Sequence, residues 1–66
     1  MIIKAKHRIQ AFDGKKIKTI ITAGKLYRAE QKKWLYYVTD DTGGISVYSP
    51  DYFRRMFTAI DDGTTA

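Results

Sequence analysis

The stretch Trp34-Leu35-Tyr36-Tyr37-Val38-Thr39-Asp40-Asp41-Thr42-Gly43-Gly44-Ile45-Ser46-Val47-Tyr48 decides the fold. Residues 34–39 are aromatic and branched, the composition that fits a pleated, half-buried surface, so they predict a strand. The acidic, glycine-bearing run 40–44 predicts a hairpin loop, because glycine supplies the positive φ that tight turns demand. Residues 45–48 then return as a second strand. Successive strand side chains point to opposite faces, so Tyr36 and Tyr37 are divided between core and surface. Tyr37 is expected inside with Leu35, leaving Trp34 and Tyr36 on the other face.

Downstream, Ser49 is a good N-cap, Pro50 suits a first helical position and Asp51 complements a helix N-terminus. At least one helical turn should start there. Residues 54–60 are open between two readings. Phe53, Met56, Phe57 and Ile60 have helical spacing, yet the segment RMFTAI would also serve as a last strand. A single turn followed by a short strand is preferred. After Ile60 the chain offers nothing apolar but a terminal alanine, so residues 61–66 are expected to be a disordered tail.

Upstream, Ile3, Ala5, His7, Ile9 and Ala11 alternate with Lys4, Lys6, Arg8 and Gln10, the period-two pattern of a half-buried strand. Asp13-Gly14 marks a turn. A two-residue loop at Asp13-Gly14 would set Ile9 opposite Lys18 and Ala11 opposite Lys16. A three-residue loop through Lys15 sets Ala11 opposite Ile17, Ile9 opposite Thr19 and His7 opposite Ile21. The second register keeps one face apolar and is preferred. Thr22-Ala23-Gly24-Lys25 is the next break. Leu26–Glu30 is a short strand closed by Gln31-Lys32-Lys33. Five short strands and one helical turn near Pro50 make a mostly β domain over residues 3–60. The economical arrangement at this length is a small, strongly bent barrel that hides its edges.

Composition narrows the function classes. The 66 residues include no cysteine, so disulfides and thiolate metal sites are excluded. The single histidine, His7, cannot build a metal site alone, and no metal or other cofactor is expected. No apolar run approaches the roughly 18 residues of a membrane span, and the N-terminus lacks the continuous apolar core of a signal peptide. A cytoplasmic location with no membrane partner is expected. Catalysis has little to work with: there is no glycine-rich phosphate loop, and Ser46 and Ser49 are remote from His7 along the chain. Asp40 and Asp41 are accounted for by the hairpin, and His7 by a half-buried strand position.

The net charge of +5 is unevenly placed. Residues 1–33 hold ten Lys/Arg against Asp13 and Glu30, a net of +8, and residues 34–66 a net of −3. That split points to an acidic or polyanionic partner for the first half, although charge of this kind also serves solubility.

Three short motifs, in this order and spacing, resemble those of the small barrels with the Src-homology-three topology, above all the short versions common in phages and bacteria. Gly24, Lys25, Leu26 and Tyr27 match a Gly-Lys-hydrophobic-Tyr segment after a strand. Tyr36, Tyr37, Val38, Asp40, Asp41 and Gly43 match a hairpin motif, and Pro50, Tyr52 and Phe53 a Pro-x-x-Phe/Tyr turn. The resemblance covers about residues 3 to 57. It implies a ligand groove at Trp34, Pro50 and Tyr52, with Tyr48 nearby and Tyr27 or Tyr36 bordering it. It departs from the family's proline-peptide readers, whose first loop carries acids. Here that loop reads FDGKK, so a basic proline-rich ligand does not suit it, and an acidic protein surface or a nucleic acid does.

Two groups of residues are therefore candidates. Trp34, Tyr36, Tyr48, Pro50 and Tyr52 form a partner-binding set, because rigid aromatics are enriched at binding hot spots. An exposed patch of Trp34, Tyr36 and Tyr48 would equally serve self-association. Lys4, Lys6, Arg8, Lys16 and Lys18 form a basic stripe on the first two strands in the preferred register. Such a stripe with stacking aromatics binds single-stranded nucleic acid, but it is also an ordinary solvated strand face that blocks sheet-to-sheet aggregation. The leading expectation is a phage- or prophage-type accessory protein that binds and modulates a host or viral protein, acting in the host cytoplasm if phage-encoded. A nucleic-acid-binding barrel is the alternative.

Overall fold

A computed structural model describes residues 1–61. The predicted hairpin forms from β5 (Leu35–Thr39) and β6 (Ile45–Tyr48), antiparallel, with Tyr36 opposite Tyr48 and Tyr37 opposite Val47. Its loop is closed by the Asp40 amide donating to the Gly44 carbonyl (2.9 Å) and the Gly43 amide to the Asp40 carbonyl (3.0 Å). Gly43 holds φ at 85°, the region where a Cβ is costly.

The remaining elements are β1 (Ile2–Ala5), β2 (Ile9–Asp13), β3 (Lys16–Ile21), β4 (Leu26–Lys32), α1 (Pro50–Met56) and β7 (Phe57–Asp61). The chain is mostly β, as expected, but with seven strands in place of five. One sheet runs in the order β6-β5-β4-β1-β7, and β2 with β3 makes a second, two-stranded sheet. The pairing does not close the large sheet into a ring: β6 and β7 are its two ends, and α1 is the chain that joins them.

The extra strands have local causes. The long first strand splits because the ladder ends at Ala5, where the chain bends away through Lys6 and His7. Ala5 and Lys6 are pinned there, their amides donating to the carbonyls of Lys25 (3.0 Å) and Met56 (2.8 Å). His7 thus lies in a bend and is exposed, not inward. The strand over β4 runs through Gln31 and Lys32, which pair with Tyr36 and Leu35. The turn is left to Lys33 and Trp34, with Lys33 at φ 58°.

Neither register considered for the first hairpin forms. The turn is Gly14-Lys15, with Gly14 at φ 63°. Asp13 faces Lys16, Phe12 faces Ile17, Ala11 faces Lys18 and Gln10 faces Thr19. A bulge between Ile9 and Gln10 then sets Ile9 opposite Ile21. The bulge reconciles two demands that a single register cannot: a tight glycine turn at the tip, and two isoleucines buried together at the root. The cost falls on Phe12 and Ile17, which meet each other 75% and 67% exposed.

The core is Ile3, Ala5, Ile9, Ile21, Tyr27, Ala29, Val38, Phe53 and Phe57. Val38 is fully buried opposite Ala29. The even positions of β5 therefore turn inward, the reverse of the face expected for Leu35 and Tyr37. Parity is set by β4, whose Tyr27 and Ala29 already face the core. α1 runs two turns and then gives way to β7, so both readings of 54–60 contribute. Ser49 caps it, the Tyr52 amide donating to its Oγ (3.4 Å). Pro50 opens it, and Asp51 and Arg54/Arg55 sit at the ends that suit their charges. Asp61, assigned to the tail from sequence, pairs with Ile2. The rest of that tail lies outside the described residues.

Candidate partner-binding surface

The β3–β4 turn and the β5–β6 loop are joined by one carboxylate. Asp41 accepts from Thr22 Oγ1 (2.8 Å), Lys25 Nζ (2.7 Å) and the Tyr27 hydroxyl (2.9 Å), while its amide donates to the Ile20 carbonyl (2.8 Å). The Thr22 amide in turn donates to the Tyr27 hydroxyl (2.7 Å). The Gly-Lys-hydrophobic-Tyr segment and the Asp-Asp loop are thus halves of a single lock. The hydrogen bond from Lys25, followed by that from Thr22, holds the Asp41 carboxyl below its ordinary range, and the same contact pushes the Lys25 amine up. Partial burial pushes the Asp40 carboxyl up, but donation from Ser46 and Thr42 outweighs it and the net shift is downward. Both acids of the motif are committed to architecture.

α1 gathers most of the predicted aromatic set. Phe53 is buried and stacks on Tyr36, centroids 3.8 Å apart and planes at 7°. Tyr48 stacks on Tyr52 at 5.4 Å and tilts against Phe57 at 5.7 Å. Tyr36 and Tyr48 are therefore half-buried supports packed on the core, which corrects the outer face expected for Tyr36. Tyr52, 36% exposed, faces solvent from α1 together with Asp51, Arg54 and Arg55, while Pro50 at the helix start is half-buried. Trp34 lies in the β4–β5 turn, 72% exposed. The Tyr48 hydroxyl is buried without a hydrogen-bond partner. Ser46 is close, but its Oγ donates to Asp40 (2.6 Å), and burial pushes the Tyr48 pKa up.

All five residues of the basic stripe are exposed, but they do not form one stripe. Lys4 lies on the large sheet between Leu26 and Thr58. Lys6 reaches the end of α1, donating to the Arg54 carbonyl (3.2 Å), and Arg8 belongs to the connection. Lys16 and Lys18 are on the separate β2–β3 ribbon. The bend at Lys6–His7 and the bulge at Ile9 break the continuity that straight alternation would have provided.

Two features escaped the sequence reading. The outer face of β4–β5–β6 presents Leu35, Tyr37, Ile45 and Val47, beside a shallow groove of about 320 Å³ edged by Arg28, Glu30 and Lys32. The ribbon tip presents Phe12 and Ile17. Inverting the parity of β5 would have found the first; the second required placing the turn at Gly14-Lys15. Among the described residues no group of three His, Cys, Asp or Glu side chains is placed to hold a metal ion, and no helix is long and apolar enough to cross a membrane. No family model, curated protein or solved structure matches the chain.

Proposed function

We propose that this chain is a non-catalytic binding module that docks on the acidic surface of a protein and modulates it. The observation that carries the reading is the company the exposed rings keep. Trp34 and Tyr52 are exposed, Tyr52 stacked on Tyr48 and Trp34 following Lys32 and Lys33, in a chain whose first half carries a net charge of +8. A Tyr52 ring held against Tyr48 loses little freedom on binding, and the lysines beside Trp34 favour an acidic partner and speed the encounter. The strand order, the two-stranded excursion between β1 and β4, and the capped helix before the last strand are in keeping with a Src-homology-three-like architecture. On the same resemblance, the setting is a phage or prophage accessory protein and the partner is a host or viral protein.

A nucleic acid would be drawn by the same charge. The division of the basic residues among sheet, connection and ribbon favours the protein partner, because a single strand needs a continuous track of amines beside its stacking platforms. The experiment is affinity purification of the full chain from nuclease-treated lysate, followed by reconstitution with the purified partner. A stoichiometric protein with an acidic surface, released by salt, is expected. Retention of nucleic acid alone, with no stoichiometric protein, refutes the proposal.

A further inference from the structure

The β2–β3 ribbon carries a second, independent pointer to a partner. Its root is anchored in the core by Ile9 and Ile21, and beyond that root its two strands pair chiefly with each other. At its tip two large apolar side chains, Phe12 and Ile17, are paired across the strands at 75% and 67% exposure. A cross-strand apolar pair steadies a hairpin, which explains their contact with each other. It does not explain why so much of both remains in water at the point of the chain least covered by the body.

The register sorts the ribbon into two unlike faces. Directly opposed residues share a face and successive pairs alternate. Phe12–Ile17 therefore lies with Gln10–Thr19, an apolar end and an uncharged root. Asp13–Lys16 and Ala11–Lys18 lie on the other face, and Lys15 is in the turn. Three amines thus surround an uncharged face without lying on it, and Asp13 is the single acid among them. An interface with an apolar centre and a charged rim has this arrangement. Lysine stems are long enough to bring their amines round to such a rim.

We infer that the β2–β3 ribbon is a docking arm: Phe12 and Ile17 enter an apolar pocket on a partner protein, while Lys15, Lys16 and Lys18 engage acidic residues around that pocket. The inference rests on the binding-module reading and adds to it a second contact, apart from the Trp34, Pro50 and Tyr52 surface. Charge complementarity names an acidic occupant, since a second copy pairing ribbon to ribbon would bring Lys15, Lys16 and Lys18 against their own counterparts.

The test selects peptides from a random displayed library on the immobilised full chain, then titrates a synthesised winner into isotope-labelled protein. The expected winners place Asp or Glu around a large apolar residue and shift the amide signals of residues 10–19. Phe12→Ser with Ile17→Thr is expected to weaken binding by about tenfold or more. Lys16→Glu with Lys18→Glu, which keeps the apolar pair, is expected to weaken it by a comparable factor and to abolish its salt sensitivity. Amide spectra outside the ribbon should be unchanged in both variants. Winners that shift signals only around Trp34 and Tyr52, and bind the Phe12/Ile17 variant undiminished, would overturn the docking arm and leave the binding module standing. Failure to select any acidic peptide would overturn both. So would labelled oligonucleotides, or phosphatidylserine vesicles, that bind the wild-type chain and lose it in the Phe12/Ile17 variant.

Discussion

Phe53 is the one buried residue of α1, and its ring is the peg that fixes the helix, and with it Pro50 and Tyr52, to the sheet. Replacing it with leucine keeps most of the aliphatic bulk. It removes two ring contacts, the stack on Tyr36 at 3.8 Å and the tilted pair with Phe57 at 5.2 Å. Aromatic pairs contribute about 0.5–1.5 kcal/mol each beyond their area, so Phe53→Leu should cost about 1–3 kcal/mol. A domain of this size has on the order of 3–10 kcal/mol in all. Phe53→Ala, at about 3–5 kcal/mol, would therefore leave little folded protein to measure. Leucine is the informative change. The assay is urea unfolding followed by circular dichroism, since the single tryptophan, Trp34, is already exposed in the folded chain. With a slope of about 1 kcal/mol per molar urea for so small a chain, the midpoint should fall by about 1–3 M. A fall of less than about 0.5 M would mean that α1 is not held through this ring, and the reasoning that places Tyr52 on a rigid support would fail.

Tyr48→Phe should raise stability by about 1 kcal/mol in the same assay, because it removes a buried hydroxyl that has no partner while keeping the ring contacts. Asp40 and Asp41 titrate below their ordinary value of 3.8, so their contribution is complete above that value and is lost as pH falls through the lowered values. Urea midpoints measured down an acid series should decline in that window, with a shallower decline in Asp41→Asn. Lys25 runs the other way. Its contribution is complete below 10.5 and is lost as pH rises through its raised value, and an alkaline series of midpoints should show that decline reduced in Lys25→Met. Trp34→Ala should leave the unfolding midpoint, read by circular dichroism, within about 0.5 kcal/mol of wild type, because the side chain is exposed. It should weaken the partner complex by about tenfold, measured by calorimetric titration.

Much of the fold could be read from local chemistry. The loop at Asp40–Gly44, the cap at Ser49-Pro50 and the alternation of Ile3, Lys4 and Ala5 each carry a physical reason that acts within a few residues, and each stands in the structure, although the alternation breaks at His7. What could not be read depends on distant partners. Tyr36 and Val38 turn inward because β4 dictates the parity of β5, and no property of WLYYVT alone makes that choice. The register of the first hairpin depends on a bulge whose purpose, burying Ile9 against Ile21 while Gly14 takes the turn, appears only when both ends are considered together. The bend at Lys6–His7 divides the basic residues and the Gly14-Lys15 turn sets Phe12 opposite Ile17, so the candidate surface was legible in its residue types but not in its grouping. The Asp41 lock was visible only as two separate motifs, since the side chains it joins are as many as 19 positions apart.

The association rate of the reconstituted complex, followed from low to high ionic strength, tests the docking on an acidic protein surface most directly. Screening shortens the reach of surface charge to about 10 Å at 0.1 M salt and 3 Å at 1 M, so a complex drawn together by these amines should associate several-fold more slowly at the higher salt. A rate that stayed level or rose with salt would contradict the account.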